Sequence, residues 1–175
     1  MNIPALKLNE AVIERWKLFN AVTNTKRTIM SDGKGGLYYQ QTPIAAVITY
    51  EESKVFFVTC LPLDPHVEAN VKKLLASLKD EEVYRLDTIP AKALHESTDK
   101  FMQEVRWKAL HEFRRIVQEM NTRNLQEGNR TLARYQERLL WRKAIIDEFG
   151  TVSERKEMED YHQALQEKYR LNIQP

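Results

Sequence analysis

The spacing of apolar residues changes rhythm twice along the chain. Over residues 8–23, Leu8, Val12, Trp16, Phe19 and Val22 recur at steps of three and four, with Glu10, Glu14, Arg15 and Lys17 off the stripe. That spacing predicts a first helix, ended by Thr23-Asn24-Thr25. From Lys26 the rhythm shortens. Lys26–Met30, Leu37–Gln41, Ile44–Tyr50 and Lys54–Leu61 read as strands, broken by Ser31–Gly36 (SDGKGG), by Pro43 and by Glu51-Glu52-Ser53. Strand, short polar turn, strand predicts a small antiparallel β-meander over about residues 26–61. Its last two strands are almost continuously apolar, so that hairpin is expected to be covered on both faces.

Asp64 reads as an N-cap with Pro65 at the first helical position and Glu68 in the first turn, which predicts a helix over 65–79. Val67, Val71, Leu74, Leu75 and Leu78 line one face of it. Val83–Ile89 reads equally as a strand or as an extended crossing before Pro90. From Ser97 onward the pattern is helical. Met102, Val105, Ala109, Phe113, Ile116 and Met120 follow a heptad-like seam, and Leu132, Tyr135, Leu139, Ile146 and Phe149 continue it, with Arg142 at the seam position between Leu139 and Ile146. Gly128-Asn129 separates the two runs. They form either one coiled-coil-like helix, projecting ~75 Å at 1.5 Å per residue, or a helical hairpin, which the turn-like Gln126–Asn129 favours. Gly150 then closes a helix, Thr151 and Glu154 suggest a capping box, and a last helix covers 153–170. The fold class expected is α+β. Residues 1–96 make a helix–sheet–helix domain, and residues 97–175 make a helical region packed with it as one compact unit.

Composition narrows the functional classes. The chain has 175 residues and 42% hydrophobic content, enough for a core and too much for wholesale disorder. The single cysteine, Cys60, excludes an intramolecular disulfide framework and a Cys-based structural zinc site, and it suits a reducing compartment. No apolar run approaches the ~18 residues of a membrane span, and Glu10 and Glu14 interrupt the N-terminal segment where a signal peptide is apolar. The expectation is a cytoplasmic protein with no membrane partner.

Charge changes the picture more. The formal net charge of +2 is a sum of unlike parts: net −1 over residues 1–99, +6 over 100–145 and −3 over 146–175. Eight arginines and two lysines lie between Arg106 and Lys143. Planar guanidinium forks suit carboxylate or phosphate recognition. Arg123, Arg130, Arg134, Arg138 and Arg142 recur at sevens and fours, as a ridge would on one helix, with Trp141 at its end. Trp107 lies off the seam beside Arg106 and Lys108. These seven residues, Trp107, Arg123, Arg130, Arg134, Arg138, Trp141 and Arg142, are the candidate partner-binding set. The competing expectation is that the acidic last helix (Glu154, Glu157, Glu159, Asp160) packs against the ridge and neutralises it.

No catalytic, cofactor or metal site is legible. SDGKGG fails as a phosphate loop because Lys34 precedes Gly35 and another strand follows, so it reads as a hairpin turn whose glycines supply positive φ. His66, His95, His111 and His162 form no metal-ligand spacing, Cys60 lies in an apolar strand, and the acidic pairs sit at turns and helix ends. The leading expectation is a non-enzymatic interaction, assembly or regulatory accessory protein that binds another protein or itself through its helical half. The alternative is a nucleic-acid-binding accessory protein using the arginine-rich segment 106–143. A small hydrolase or nuclease with a site assembled in space has least support.

Overall fold

The computed structural model describes residues 3–7, 9–60, 65–123 and 130–169. The proposed cap at Asp64 and the turn at Gln126–Asn129 lie outside them, as does Leu8. The chain divides into two compact units, Met1–Phe101 and Met102–Pro175.

The first unit holds β1 (Ala5–Leu6), α1 (Asn9–Trp16), β2 (Ala21–Asn24), β3 (Ile29–Asp32), β4 (Gly36–Tyr39), β5 (Thr42–Tyr50), β6 (Ser53–Thr59), α2 (Pro65–Ser77), β7 (Val83–Leu86), α3 (Ala91–Leu94) and the start of α4 (Thr98–Thr122). Its strands form one sheet in chain order, β1 to β7. Neighbours from β2 to β6 pair antiparallel. The edges do not: β1 runs parallel to β2, and β7 runs parallel to β6. The α+β class therefore holds, but the sheet is wider than residues 26–61 and mixed. The extra parallel edge arises because α2 returns the chain before β7 is laid down, as parallel neighbours require.

The helix expected over 8–23 stops at Trp16. Backbone N–H groups of Leu18 and Asn20 both turn back to the Arg15 carbonyl, and Phe19 adopts φ 57°. Val22 instead sits in β2, opposite Ser31. The next strand starts at Ile29 rather than Lys26, because the Asn24 side chain accepts the N–H groups of Thr28 (2.8 Å) and Ile29 (3.3 Å) and ties the preceding loop into a turn.

Residues of the central strands are buried on both faces of the sheet. Ala45, Val47, Phe56 and Val58 join Val12, Trp16, Val71, Leu74 and Leu78 of α1 and α2 in one core cluster. Trp16 meets Phe56 edge-on at 5.7 Å, and its indole N–H donates to the Gly35 carbonyl at 2.7 Å. Phe57, one residue on and so on the opposite face, packs edge-on against Phe101 and tilted against Tyr84. Burial on both faces is what makes the sequence of β5 and β6 continuously apolar.

The second unit comprises the rest of α4 with α5 (Arg130–Phe149) and α6 (Val152–Tyr169). All six residues from Met102 to Met120 on the seam are buried, as are Leu132, Tyr135, Leu139, Ile146 and Phe149. Glu112 meets Arg142 and Glu119 meets Tyr135, so seven residues forward on α4 match seven backward on α5. The two helices are antiparallel, which excludes the single rod. Phe113 faces Tyr161 and Met120 accepts from Tyr169, so α6 runs parallel to α4. The reversal between α5 and α6 is closed by Gly150, whose N–H reaches the Ile146 carbonyl, and by a capping box. In that box the Thr151 N–H donates to Glu154 Oε2 (2.7 Å) and the Glu154 N–H donates to Thr151 Oγ1 (3.3 Å).

Candidate functional site

The arginines of the basic segment fall into two classes. Those on α4 are met from within the unit. Arg114 makes a bidentate pair with Glu157 on α6, Nε to Oε1 at 2.6 Å and Nη2 to Oε2 at 2.7 Å. This hydrogen bonding raises the guanidinium pKa further above its already high value. Arg106 lies 3.4 Å from Glu154, and Arg115 lies 3.6 Å from Glu119. The acidic last helix thus answers Arg106 and Arg114. Acidic residues at the helix surface therefore neutralise part of the basic segment, and the part they meet is on α4.

Arg142 is a different case. Its side chain is fully buried, and Nε donates to Glu112 Oε2 at 2.9 Å, with Glu112 only 7% exposed. Nη1 also donates to the Arg138 carbonyl. A seam position that would otherwise hold an aliphatic residue carries a charge, and α4 supplies the compensating charge directly opposite. Arg142 therefore has no surface to offer a partner and is structural.

Arg130 and Arg134, one turn apart on α5, are exposed and have no ion-pair partner among the described residues. Arg123, just past the end of α4, lies with its guanidinium 5.9 Å from the Tyr135 ring, within cation–π range. Arg138 is half-buried, one further turn along α5. Both Arg123 and Arg138 lie near enough to Tyr135 to pull its phenol pKa down, against burial and the Glu119 hydrogen bond, which together raise it. Tyr135 thus anchors a basic patch contributed by two helices. Arg130, Arg134 and Arg138 share a row on α5, but Arg123 comes from just past the end of α4 and Arg142 is buried, so the five do not form one ridge.

The two tryptophans do not share that patch equally. Trp141 is half-buried under the Arg142 guanidinium at 5.8 Å. Trp107 is 58% exposed and stacks flat on His111, with ring centroids 5.2 Å apart. It lies sixteen residues from Arg123, about 24 Å of helix rise, so it is a separate feature of α4.

No protein-family model, curated protein or solved structure matches this chain.

In the first unit the structure brings together residues that spacing could not pair. The turn Ser31–Gly36 is a hairpin connection with Gly33 at φ 75° and Gly35 at φ 101°. Asp32 organises it: Oδ1 accepts the N–H groups of Lys34 (2.7 Å) and Gly36 (2.9 Å), and Oδ2 accepts the Tyr38 hydroxyl (3.0 Å). His95, sixty-three residues later and just past α3, places Nε2 3.3 Å from the same oxygen. Burial, then the Asp32 charge and hydrogen bond, push the Tyr38 phenol well above its usual range, so it stays protonated and donating. With every Asp32 oxygen committed, this carboxylate holds the loop and has no lone pair set aside for a reaction. The Cys60 thiol donates to the Leu86 carbonyl (3.1 Å), tying the ends of β6 and β7. Among the described residues no three His, Cys, Asp or Glu side chains lie together as metal ligands, and no helix is long and apolar enough to cross a membrane.

Proposed function

We propose that this chain is a non-enzymatic interaction or assembly protein whose helical hairpin docks on an acidic surface of a partner protein through Arg123, Arg130, Arg134 and Arg138. One observation carries the reading. Arg130 and Arg134 stand exposed without an ion-pair partner among the described residues, in a unit where Arg106, Arg114, Arg115 and Arg142 are each met by a carboxylate. Leaving arginine open on a rigid helix preorganises a fork for carboxylates. Arginine and aromatic residues together also mark the centre of protein interfaces, a role open to Trp141 beside this patch and to Trp107 elsewhere on α4.

Glu137 favours a protein over a nucleic acid. It is exposed three residues from Arg134 and seven from Arg130, on the same side of α5. A phosphate backbone would be repelled there, whereas a protein surface can place a basic side chain opposite it. The second reading, nucleic-acid binding, rests on the i, i+4 spacing of Arg130, Arg134 and Arg138, which suits tracking along a backbone.

The test compares wild type with Arg130→Glu/Arg134→Glu. Sedimentation velocity and quantitative cross-linking in native extract should show contacts at α5 in wild type that disappear in the variant. Contacts that persist in the variant, or are absent from wild type, overturn the reading. Titration with duplex DNA and with RNA at two salt concentrations decides between the readings, because phosphate contacts demand a steep loss of affinity as salt rises.

A further inference from the structure

A cleft of about 450 Å³ opens in the first unit between α1, the β2–β3 turn and α2. Its floor is built from three asparagines that the sequence scatters over sixty-one residues. The Asn24 side-chain amide is saturated. It donates to Asn9 Oδ1 (2.8 Å) and Thr28 Oγ1 (2.8 Å), and its carbonyl accepts two backbone N–H groups. That fixes which end of Asn9 is oxygen, so Asn9 Nδ2 must donate onward, and it does, to Asn70 Oδ1 at 3.0 Å. Asn70 Nδ2 then donates to the His66 carbonyl at 2.7 Å. Each amide is oriented by the one before it. Among the described residues, Asn9 and Asn70 are each left with one uncommitted N–H, and both line the cleft.

The rim is cationic. Lys7, Lys26 and Lys73 line the cleft with a single acid, Glu10. Glu10 is ionised, its pKa lowered by its own backbone N–H and by Lys73, which it contacts at 3.1 Å. Lys7 and Lys26 have no ion-pair partner among the described residues. Three lysines less one carboxylate leave the site at +2. An apolar ligand would desolvate this polar lining without return, and a cation would be repelled.

We propose that this cleft binds a phosphate monoester carried on a small hydroxyl-bearing molecule. The lysines meet the phosphate as point charges, and the preoriented amides meet the hydroxyls. A phosphate monoester carries about −1.5 to −2 at neutral pH, which matches the site's charge. The cleft volume lies in the range of small-molecule sites. This inference concerns the first unit and is independent of the proposed role for α5.

The experiment is a titration of the full chain followed by two-dimensional 15N NMR, using glycerol 3-phosphate, inorganic phosphate and glycerol as probes at constant ionic strength. Glycerol 3-phosphate should give saturable shifts at the Asn9 and Asn70 side-chain amides, inorganic phosphate weaker ones, and glycerol none. Lys7→Ala/Lys26→Ala changes only exposed residues and should weaken binding at least ~10-fold. Asn70→Ala should weaken it by about 3- to 10-fold, the range of one neutral hydrogen bond. Absence of saturation with both phosphates overturns the site. So does binding that the lysine double variant leaves unchanged. Equal affinity for inorganic phosphate and glycerol 3-phosphate overturns the hydroxyl-bearing ester.

Discussion

Replacing Arg142 by Met keeps an unbranched stem at the seam position and removes the charge. Glu112 is then left 7% exposed with its partner 2.9 Å away gone. Breaking a buried pair by deleting one member costs ~3–5 kcal/mol, because the remaining charge loses its counterion without regaining water. The Arg142 Nη1 bond to the Arg138 carbonyl adds about 1 kcal/mol. Against a typical total of about 5–15 kcal/mol for a domain, Arg142→Met should remove a large share of the stability of the helical unit. The reverse single change, Glu112→Leu, should be comparably severe, since it removes the carboxylate from a fully buried guanidinium. The double variant Glu112→Leu/Arg142→Met should return to wild-type stability or exceed it by about 1–4 kcal/mol, because two desolvated charges are replaced by apolar packing. Urea unfolding followed by far-UV circular dichroism and by tryptophan fluorescence measures all four corners of the cycle. Trp141 lies 5.8 Å from the Arg142 guanidinium and reports locally. Arg142→Met within ~0.5 kcal/mol of wild type, the range of an ordinary surface change, would refute the reasoning. So would a double variant as unstable as the sum of the singles.

Gly35→Ala should be strongly destabilising. Its φ is 101°, and a Cβ there would sit 2.2 Å from the Val47 carbonyl oxygen; a loss of at least ~2 kcal/mol in thermal unfolding is expected, and a change under 1 kcal/mol would contradict the geometry. Glu51 and Glu52 fill a two-residue hairpin loop at φ 45° and 69°, so Glu51→Asn/Glu52→Gly should stabilise by about 1–2 kcal/mol in urea unfolding; no gain would mean those angles carry little strain. The Tyr38 phenol is raised in the folded protein. Its contribution to stability is therefore complete below the unfolded tyrosine pKa of ~10 and declines as pH rises above that. Urea midpoints should fall less steeply above pH ~10 in Tyr38→Phe than in wild type, and parallel slopes would refute the shift.

Local sequence pattern showed the helices of the second unit more fully than the sheet. The Met102–Met120 seam was legible because each residue faces the same direction on one helix, so its signal is local. Arg142 stood out in the sequence as a misfit at an apolar position, but its partner did not, since Glu112 lies thirty residues earlier on another helix. Phe19 and Val22 keep the apolar period, so it overruns the first helix. What ends it is a positive φ at Phe19, a conformation without a sequence signal in a non-glycine residue. Gln40-Gln41 and Glu51-Glu52 are tight turns at positive φ without the glycine or asparagine that usually announces them. β1 is two residues long, too short to carry a period. Asp32 with His95, and Asn9 with Asn24 and Asn70, are joined only by folding, so residue spacing could not find them. The arginine patch was half legible: the residues were, but their division between paired and open depended on where α4 and α6 place their carboxylates.

The order of strands has a kinetic consequence. From β2 to β6 every strand pairs with its neighbour in sequence, through connections of a few residues, so those contacts form with little chain to organise. The parallel edges are non-local: Ala5 pairs with Thr23, and Phe56 with Val83. Closing a loop of 27 residues rather than about four adds ~1.7 kcal/mol of chain entropy by the logarithmic scaling, before α2 can return any of it by packing. Sheet assembly should therefore start at the centre and finish at its two flanks. The cleft between α1, α2 and the β2–β3 turn would then be among the last features of the first unit to take shape, and any molecule seated there would act on the slow, closing steps of folding.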